Sequence, residues 1–571
     1  MPIIPPTPYH QSLPLAIRSV SLVQSQPVEN SVAEFGIALE ATFDNPFDPD
    51  DIRVDATVTD PNGTKISVPG FLYRAYARSL EDGKEVLRPI GSPEWRVRIR
   101  PVTAGSYSIR LAARDRTGSV QAPVVRFRVR PSKDHGAVRV SPRDRHYFEF
   151  SDGHPFFPIG ANICWGGDRA TYSYDDWLPK YAVNGVNYQR LWLGPGDTTF
   201  GIEPAGPTGD GKGFGQFSLA DAWRIDYVLD LARQKGIYTM LTIDSYNSLR
   251  DKDAWPAWEK SALNAAHGGP LQQPSEFWSN PEARRWYRNK LRYLVARFGA
   301  DNHVLSWEFW NEVDLTRGFD KQAVSDWHRD MGRELRKLDA YHHLTTTSFS
   351  DSNGVPVIDN LPELDYVQTH MYTGDLEARS ASYNESKGAR KTHLVGEIGA
   401  DWKGPRAEDK QGLQVHQSIW ISMATVTAGT GMMWWWDNLI APLNLYSLYH
   451  PVAKFADGID WPAEAFRPAQ IATDPGLDAW AIQGKTKALA WLRLKGRTWE
   501  NVIEKHQAFP PVSSALVVFK DLAPGPWRIE IWDTWTGQIM KTAINKPNFG
   551  TVTVELPEVE SDVAIRLLKS R

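Results

Sequence analysis

The spacing of apolar residues divides the chain into three regions. Between residues 15 and 130, apolar and polar residues alternate in short runs, at positions 34–43, 95–100, 106–111 and 124–129. Turn sequences such as Pro61-Asn62-Gly63 separate these runs, and no strongly helical spacing lies between them. The pattern predicts an all-β sandwich of roughly a hundred residues.

After a polar linker at 130–136, strand-length apolar runs alternate with helical spacing. The longest predicted helix runs from Pro281 to Phe298, with Asn280 as its cap and Gly299 at its end. Other helices are predicted at 221–235, 325–338 and 411–427. Strands are predicted at 156–160, 186–193, 237–243, 304–309, 344–347, 366–369, 393–395 and 432–435. Eight such units over roughly 310 residues predict a (β/α)₈ barrel.

Beyond about residue 465 the pattern returns to strands, at 487–492, 515–519, 527–532, 551–556 and 563–567. These runs predict a C-terminal β-sandwich that packs on the barrel, since no long linker precedes them. The predicted fold class is therefore α/β, a TIM barrel between two β-sandwiches. The predicted domains are 1–135, 136–464 and 465–571.

Length, charge and cysteine content narrow the possible functions. A chain of 571 residues is too long for one core. A formal net charge of −4 gives no electrostatic argument for nucleic acid or an anionic membrane. The single cysteine, Cys164, excludes an internal disulfide. No apolar run has transmembrane length, and residues 1–14 lack a signal pattern. We expect a cytoplasmic protein as the chain stands, or an exported one if a signal was removed.

Polar and aromatic residues follow the predicted barrel strands, where a barrel of this kind places its active site. Glu312 follows strand four and Glu397 follows strand seven, 85 positions later (397 − 312). A carboxylic acid facing a carboxylate across a sugar is the arrangement that retaining glycoside hydrolysis needs. The other strand-end candidates are Asn162, Arg190, Asp244, Asn311, His370, Tyr372 and Trp436.

Several of these residues have a simpler interpretation. One glutamate after a strand is more often a solvated loop residue, and Asp244 could equally cap a loop. Trp310 could equally be packing. Trp436 is favoured over Trp434 and Trp435 as a sugar platform, because it lies nearest the strand end. The glycine-rich segment 201–215 predicts a loop beside the substrate cleft.

No metal site is predicted. The pair His342-His343 lies before strand five and has no partner with metal-ligand spacing.

Four motifs resemble the clan A retaining glycoside hydrolases, especially family 5 and its relatives. They are Trp310-Asn311-Glu312, His370-Met371-Tyr372, Gly396-Glu397-Ile398-Gly399 and Trp434-Trp435-Trp436. Residues 34–105 are similar to the immunoglobulin-like domain that precedes many bacterial barrels of this kind. The motifs are specific at the level of the clan and do not identify a substrate.

The resemblance implies a role for each matching residue. Glu312 would be the acid/base and Glu397 the nucleophile. Asn311 would bind the sugar 2-hydroxyl. Arg190 and Tyr372 would keep Glu397 ionised. His370 would line the same subsite, and the nearby charge of Glu397 would raise the pKa of Glu312.

The expected function is therefore retaining hydrolysis of β-glycosidic bonds in a neutral polysaccharide or oligosaccharide, without a cofactor. Two alternatives stay open, a furanosidase on the same two glutamates and a non-catalytic carbohydrate-binding barrel. The sequence leaves open the sugar, the linkage, exo or endo action, glycan binding by the β-domains and the oligomeric state.

Overall fold

The structure is a computed structural model that describes residues 9–23, 26–194, 200–203, 213–373, 379–380 and 391–570. Most of the predicted cleft loop 201–215 lies outside these ranges. No helix in the described ranges combines the length and apolarity needed to cross a membrane.

The N-terminal region forms two antiparallel sheets, in the orders β1-β2-β6-β5 and β4-β3-β7-β8, with β9 paired to β7. In β2, every second residue from Phe35 to Phe43 is buried, while Gly36, Ala38, Glu40 and Thr42 between them are more exposed. This is the alternation that the sequence predicts. The strands are β1 Gln11–Leu22, β2 Ala33–Phe43, β3 Ile52–Thr59, β4 Lys65–Pro69, β5 Phe71–Glu81, β6 Lys84–Ile99, β7 Gly105–Asp115, β8 Gly118–Gln121 and β9 Val125–Val129.

A small antiparallel sheet follows, made of β10 Val138–Val140, β11 Phe148–Phe150 and β12 Pro155–Phe156. Its residues Phe148, Phe150 and Phe156 form one apolar cluster with Tyr238 and Tyr366. These tyrosines begin two barrel strands. The small sheet therefore closes the end of the barrel opposite the predicted active site.

The barrel strands run parallel, in the order β13-β14-β15-β16-β17 followed by β18-β19. Met433 makes parallel bridges to Ala161 and Ile398, which joins the last position of the barrel to the first and closes it. The strands are β13 Gly160–Asn162, β14 Tyr188–Trp192, β15 Tyr238–Ser245, β16 Val304–Asn311, β17 Leu344–Thr346, β18 Tyr366–Tyr372 and β19 Thr392–Gly399.

Two strand predictions need correction. The run at 156–160 was predicted as the first barrel strand, but Phe156 ends β12 and the barrel strand begins at Gly160. The run at 432–435 is a bridge at Met433 rather than a full strand. Apolar content alone does not separate a strand of the closing sheet from a strand of the barrel.

The predicted helix 281–298 is confirmed as α3. Asn280 Oδ1 accepts hydrogen bonds from the backbone N–H of Glu282 and Ala283, at 2.9 and 3.0 Å, and Gly299 follows the last helical residue. The helices are α1 Thr171–Val183, α2 Leu219–Gln234, α3 Pro281–Phe298, α4 Lys321–Leu338, α5 Pro356–Asp359, α6 Leu413–Trp420, α7 Ala441–Leu443, α8 Tyr449–Ala456 and α9 Trp461–Glu464.

The N-terminal sheets pack on α2 and α3 through charges and rings. Asp226 of α2 accepts hydrogen bonds from Arg98 at 2.5 Å and Arg297 at 2.7 Å. Phe47 lies 5.0 Å from Phe217 and 5.4 Å from Tyr293, ring centre to ring centre.

The C-terminal region forms two more antiparallel sheets, in the orders β20-β22-β23-β28-β25-β26 and β21-β24-β27. An apolar cluster of its own fills the space between them. The strands are β20 Arg467–Pro468, β21 Ile471–Thr473, β22 Leu477–Gln483, β23 Lys487–Leu494, β24 Leu516–Phe519, β25 Trp527–Asp533, β26 Ile539–Asn545, β27 Val552–Glu555 and β28 Asp562–Lys569.

The C-terminal sheets contact the barrel at α6. His416 of this helix lies 2.8 Å from Asp562 Oδ2 and stacks on Trp535 with ring centres 4.0 Å apart. Trp420 Nε1 donates to the backbone oxygen of Thr534 at 3.1 Å.

Candidate active site

Glu312 and Glu397 face each other at the carboxyl ends of β16 and β19. His370 lies between them, with Nδ1 2.9 Å from Glu312 Oε1 and 3.3 Å from Glu397 Oε2. A carboxylate oxygen of each glutamate lies within 4.8 Å of the other. This fits the roughly 5–5.5 Å of direct nucleophilic attack better than the longer separation that leaves room for a water.

Backbone geometry aims each carboxyl inward. Glu312 has a left-handed conformation (φ 47°, ψ 52°), which is uncommon for a residue other than glycine. The pairing of β18 with β19 skips Gly396, so that Thr369 pairs with Val395 but His370 pairs with Glu397. This bulge sets Glu397 beside His370.

The two glycines of the Gly-Glu-Ile-Gly motif leave room for site side chains. A Cβ on Gly396 would lie 1.8 Å from Gln368 Oε1, and a Cβ on Gly399 would lie 2.8 Å from Trp435 Nε1. Neither glycine can therefore be replaced without moving a neighbour of Glu397.

Arg190 joins two carboxylates below the site. One of its terminal nitrogens donates to Glu397 Oε1, while Nε and the other terminal nitrogen each donate to Glu308 at 2.7 Å. The second terminal nitrogen also donates to Asn311 Oδ1 at 2.8 Å. Since this guanidinium is fully buried, its charge is balanced entirely by the protein around it.

Burial raises the pKa of Glu397, and His370, Arg190 and a 2.6 Å hydrogen bond from Tyr372 Oη act in the opposite direction. Each of these groups favours the carboxylate form that a nucleophile needs.

Glu312 is placed differently. Burial first, and then the charge of Asp314, raise the pKa of Glu312 to about 8. Burial lowers the pKa of His370 to about 4, so the ring between the two carboxyls is neutral near pH 7. The sequence predicts that the charge of Glu397 raises the pKa of Glu312, but burial is the chief cause of the shift.

Glu308, Thr242 and Gln368 belong to this arrangement although the sequence analysis did not select them. Thr242 Oγ1 and Gln368 Nε2 donate to Glu308 at 2.6 and 2.9 Å, and all three residues are fully buried. A glutamate inside the mostly apolar strand 304–309 was the signal that could have found them, because a buried carboxylate requires a partner.

Asn162 and Asp244 were predicted to bind substrate, but in the structure both side chains are bonded to other residues of the protein. Asn162 is fully buried and donates to the backbone oxygens of Gly396 and Met432, at 3.0 and 2.9 Å, so it helps close the barrel. Asp244 lines the cleft but forms an ion pair with Lys290 Nζ at 2.9 Å.

The choice of Trp436 as a sugar platform was wrong. Trp436 is 1% exposed and donates to the backbone oxygen of Trp165. Trp434 and Trp435 line the cleft instead, because the strand reduces to one bridge at Met433 and the alternation does not continue past it. Trp310 is fully buried and packs against the rings of Phe277 and Trp278, and it is also among the residues that line the cleft.

A cleft of about 990 Å³ lies at the carboxyl ends of the barrel strands, and its lining includes Trp310 and Trp435 but neither Glu312 nor Glu397. Its floor contains Trp165, Trp192 and Trp434, whose ring centres lie 5.4–5.5 Å apart. Trp255 and Trp402 stand at its edge, 65% and 52% exposed. Exposed flat rings beside a cleft suit the apolar faces of sugars.

Glu312, His370 and Glu397 are close enough to share a cation. Arg190 already places a positive charge on Glu397, which opposes a second one there. In the His342-His343 pair, His343 Nδ1 lies 2.8 Å from Asp339 Oδ2, so this histidine has a structural role.

Comparison with known proteins places this site in a family. The sequence model of the family described as Cellulase (glycosyl hydrolase family 5) matches residues 151–436. Mannan endo-1,4-beta-mannosidase 1 of Oryza sativa subsp. japonica is 22% identical over 307 residues, covering 44% of this chain and 67% of that protein. Mannan endo-1,4-beta-mannosidase 3 of Arabidopsis thaliana is 20% identical over 237 residues, covering 38% of this chain and 55% of that protein. The chain thus spans between about half and two thirds of the length of these relatives.

A crystal structure from Bacteroides vulgatus ATCC 8482 has the same fold over more than the barrel. It matches with a TM-score of 0.66 at 16% identity, covering 96% of this chain and 100% of that one. The similarity therefore extends to the sheets on both sides of the barrel.

Proposed function

Because the chain belongs to glycoside hydrolase family 5, we propose that it cleaves β-glycosidic bonds of a neutral polysaccharide by double displacement. The proposal rests on the close approach of Glu312 and Glu397, whose neighbours favour opposite protonation states. Glu312 is buried beside a further acid, Asp314, whereas Glu397 is bound by Arg190 and Tyr372.

In the first step, Glu397 attacks the anomeric carbon and forms an ester with the sugar. Glu312 gives its proton to the departing glycosidic oxygen. In the second step, Glu312 is ionised and takes a proton from water, and the water attacks the same carbon and releases Glu397. The configuration is retained because each step inverts the anomeric centre once. We propose that Asn311 binds the 2-hydroxyl and that His370 lines this subsite.

The cleft favours a neutral chain. Arg190 is occupied by Glu308 and Glu397, and Lys290 by Asp244, so neither cation is available to a uronic acid beside the two glutamates. The other lysines of the cleft are Lys260 and Lys403, the latter 5.4 Å from the ring centre of Trp402. A volume of about 990 Å³ exceeds the needs of one sugar ring. Trp255 follows β15 and Trp402 follows β19, third and seventh around an eight-membered barrel, so the cleft reaches opposite sides of its mouth.

We therefore propose endo action, with several sugar units bound across the site. The mannan endo-1,4-beta-mannosidases among its relatives make a β-1,4-linked mannan the first substrate to test.

We also propose that residues 1–135 and 465–571 form the two flanking β-sandwich domains, the first of them immunoglobulin-like, around a barrel at 136–464. The predicted boundaries fall between β9 and β10 and between α9 and β20.

The two glutamates can be separated by azide rescue. Glu397→Gln should abolish turnover of every substrate, because no glycosyl-enzyme can form. Glu312→Ala should still be glycosylated by an aryl glycoside with a good leaving group, which needs little protonation. Its ester then lacks a general base, and added azide should release a glycosyl azide of retained configuration.

The opposite result would exchange the roles: azide rescue of the Glu397 variant with a retained product and of Glu312→Ala with an inverted product. Unchanged activity in both variants would mean that the active site lies elsewhere. Strict dependence on an acidic polysaccharide would contradict the proposal of a neutral substrate.

A further inference from the structure

Three side chains converge at the end of the barrel opposite the cleft. His135 lies between β9 and β10, and Asp152 and His154 lie in the turn between β11 and β12. Nδ1 of His135 and Nδ1 of His154 lie 2.7 and 2.9 Å from the same oxygen, Asp152 Oδ2. The two imidazole centres are 4.1 Å apart. Two segments of the chain thus present two ring nitrogens to one carboxylate.

The backbone around this cluster is held in place by other hydrogen bonds. Ser151 Oγ donates to the backbone oxygen of His135 at 3.2 Å, and Ser151 N donates to Ala137 O at 2.8 Å. Asn302 of the barrel donates to Asp134 Oδ1 at 2.9 Å. These bonds hold the backbone without using the three side chains, and a further one from His154 N to Asp152 Oδ1, at 3.0 Å, fixes the turn.

The chemistry of the cluster is that of metal ligands. One carboxylate oxygen and two ring nitrogens lie within reach of a single ion. An ionised carboxylate beside two imidazoles is a ligand set that zinc and related ions take. A solvated cluster held only by hydrogen bonds is the simpler alternative, and it predicts no affinity for metal.

We propose that His135, Asp152 and His154 bind one divalent transition-metal ion of the zinc class. Ligand atoms around a tetrahedral ion at about 2.0–2.2 Å lie roughly 3.3–3.5 Å apart. The nitrogens would have to move away from Asp152 Oδ2 by about half an ångström as the ion replaces their hydrogen-bonding protons. All three side chains reach solvent, so a water can fill the fourth position.

The ion would join the segment after β9 to the turn of the sheet that closes the barrel. It would contact no residue of the cleft, so it should stabilise the fold without altering catalysis. This site leaves little trace in the sequence, because His135 lies in a predicted linker 17 positions before Asp152.

The test uses the intact chain after treatment with EDTA. Zinc titration followed by calorimetry should show one ion per chain, and zinc should raise Tm. Cobalt(II) should give the visible absorption of a tetrahedral complex. His154→Ala and Asp152→Asn should each weaken zinc binding at least tenfold and remove the rise in Tm. His450→Ala changes an exposed histidine elsewhere and should behave as the parent chain.

Glu312→Gln identifies ions bound in the cleft instead. If this variant loses the zinc and the two surface variants keep it, the proposal is overturned. No stoichiometric binding to the parent chain would overturn it equally. Circular dichroism of His154→Ala and Asp152→Asn checks that each is folded, and His135→Ala gives an independent third variant.

Discussion

At the scale of single residues, the two glutamates differ through their neighbours. Glu397 is surrounded by donors, and Arg190 ties it to Glu308. Glu312 is held in a left-handed backbone conformation next to Asp314. Strained backbone of this kind persists where the surrounding structure enforces it, and here it points the carboxyl toward the nucleophile.

The pKa of Glu312, about 8, predicts the alkaline limit of activity. Glycosylation needs Glu312 protonated, so kcat/KM should fall as the pH rises through about 8. Burial is the larger cause of the raised pKa and Asp314 the next, so Asp314→Asn should move the fall to lower pH. A pH profile on an activated and an unactivated substrate measures this shift.

Asp253→Asn is the matched control, because Asp253 is exposed and paired with Arg317. If Asp314→Asn leaves the alkaline limb in place, Asp314 does not set the protonation of the acid.

The Gly396 bulge gives a second prediction at this scale. A methyl group at this position would displace Gln368 from Glu308, since its carbon would lie 1.8 Å from Gln368 Oε1. Gly396→Ala should therefore cost about 1–3 kcal/mol of unfolding free energy and lower kcat. Denaturant unfolding and steady-state kinetics measure the two effects.

Gly404→Ala is the control, because nothing lies within 4 Å of the Cβ it would add. Equal behaviour of the two variants would show that the bulge tolerates a side chain.

At the scale of elements, the barrel strands position the catalytic residues, and the loops after them add rings that can bind more distant sugars. Strand ends were predictable because parallel strands share one direction, so Arg190, Glu312, His370 and Glu397 had to meet there. The prediction of Trp436 as a sugar platform was wrong because it assumed a regular last strand. The structure has only a bridge at Met433 in that position. Contacts that depend on three-dimensional packing, such as those of Asn162 and Glu308, leave no comparable periodic signal.

The loop tryptophans should matter only for long substrates. Trp255→Ala and Trp402→Ala should each lower kcat/KM on a polysaccharide severalfold, since each removes a ring that a distant sugar can stack on. Neither should change hydrolysis of an aryl monoglycoside, which occupies only the catalytic subsite.

Phe549→Ala serves as a control, because Phe549 is fully exposed but lies in the C-terminal region. Equal losses on both kinds of substrate would indicate a general defect rather than lost subsites.

At the scale of the whole molecule, the flanking regions are fastened to the barrel by buried charges. Burial would raise the pKa of Asp562, but His416 and the hydrogen bonds around this carboxylate hold it well below its usual range. His416→Ala leaves that buried carboxylate without its imidazole hydrogen-bond partner and should cost about 1–3 kcal/mol. Thermal unfolding measures the loss, with His450→Ala as control. A Tm equal to that of the parent would show that the contact is dispensable.

The same contact constrains how the protein is made. A ribosome releases the barrel residues well before residues 562–569, yet β28 supplies the carboxylate that His416 of α6 requires. Until residues 535–562 emerge, the imidazole of His416 lacks both the ring of Trp535 and the carboxylate of Asp562. Partly synthesised chains should therefore carry an incompletely covered helix, which makes them targets for chaperones during translation.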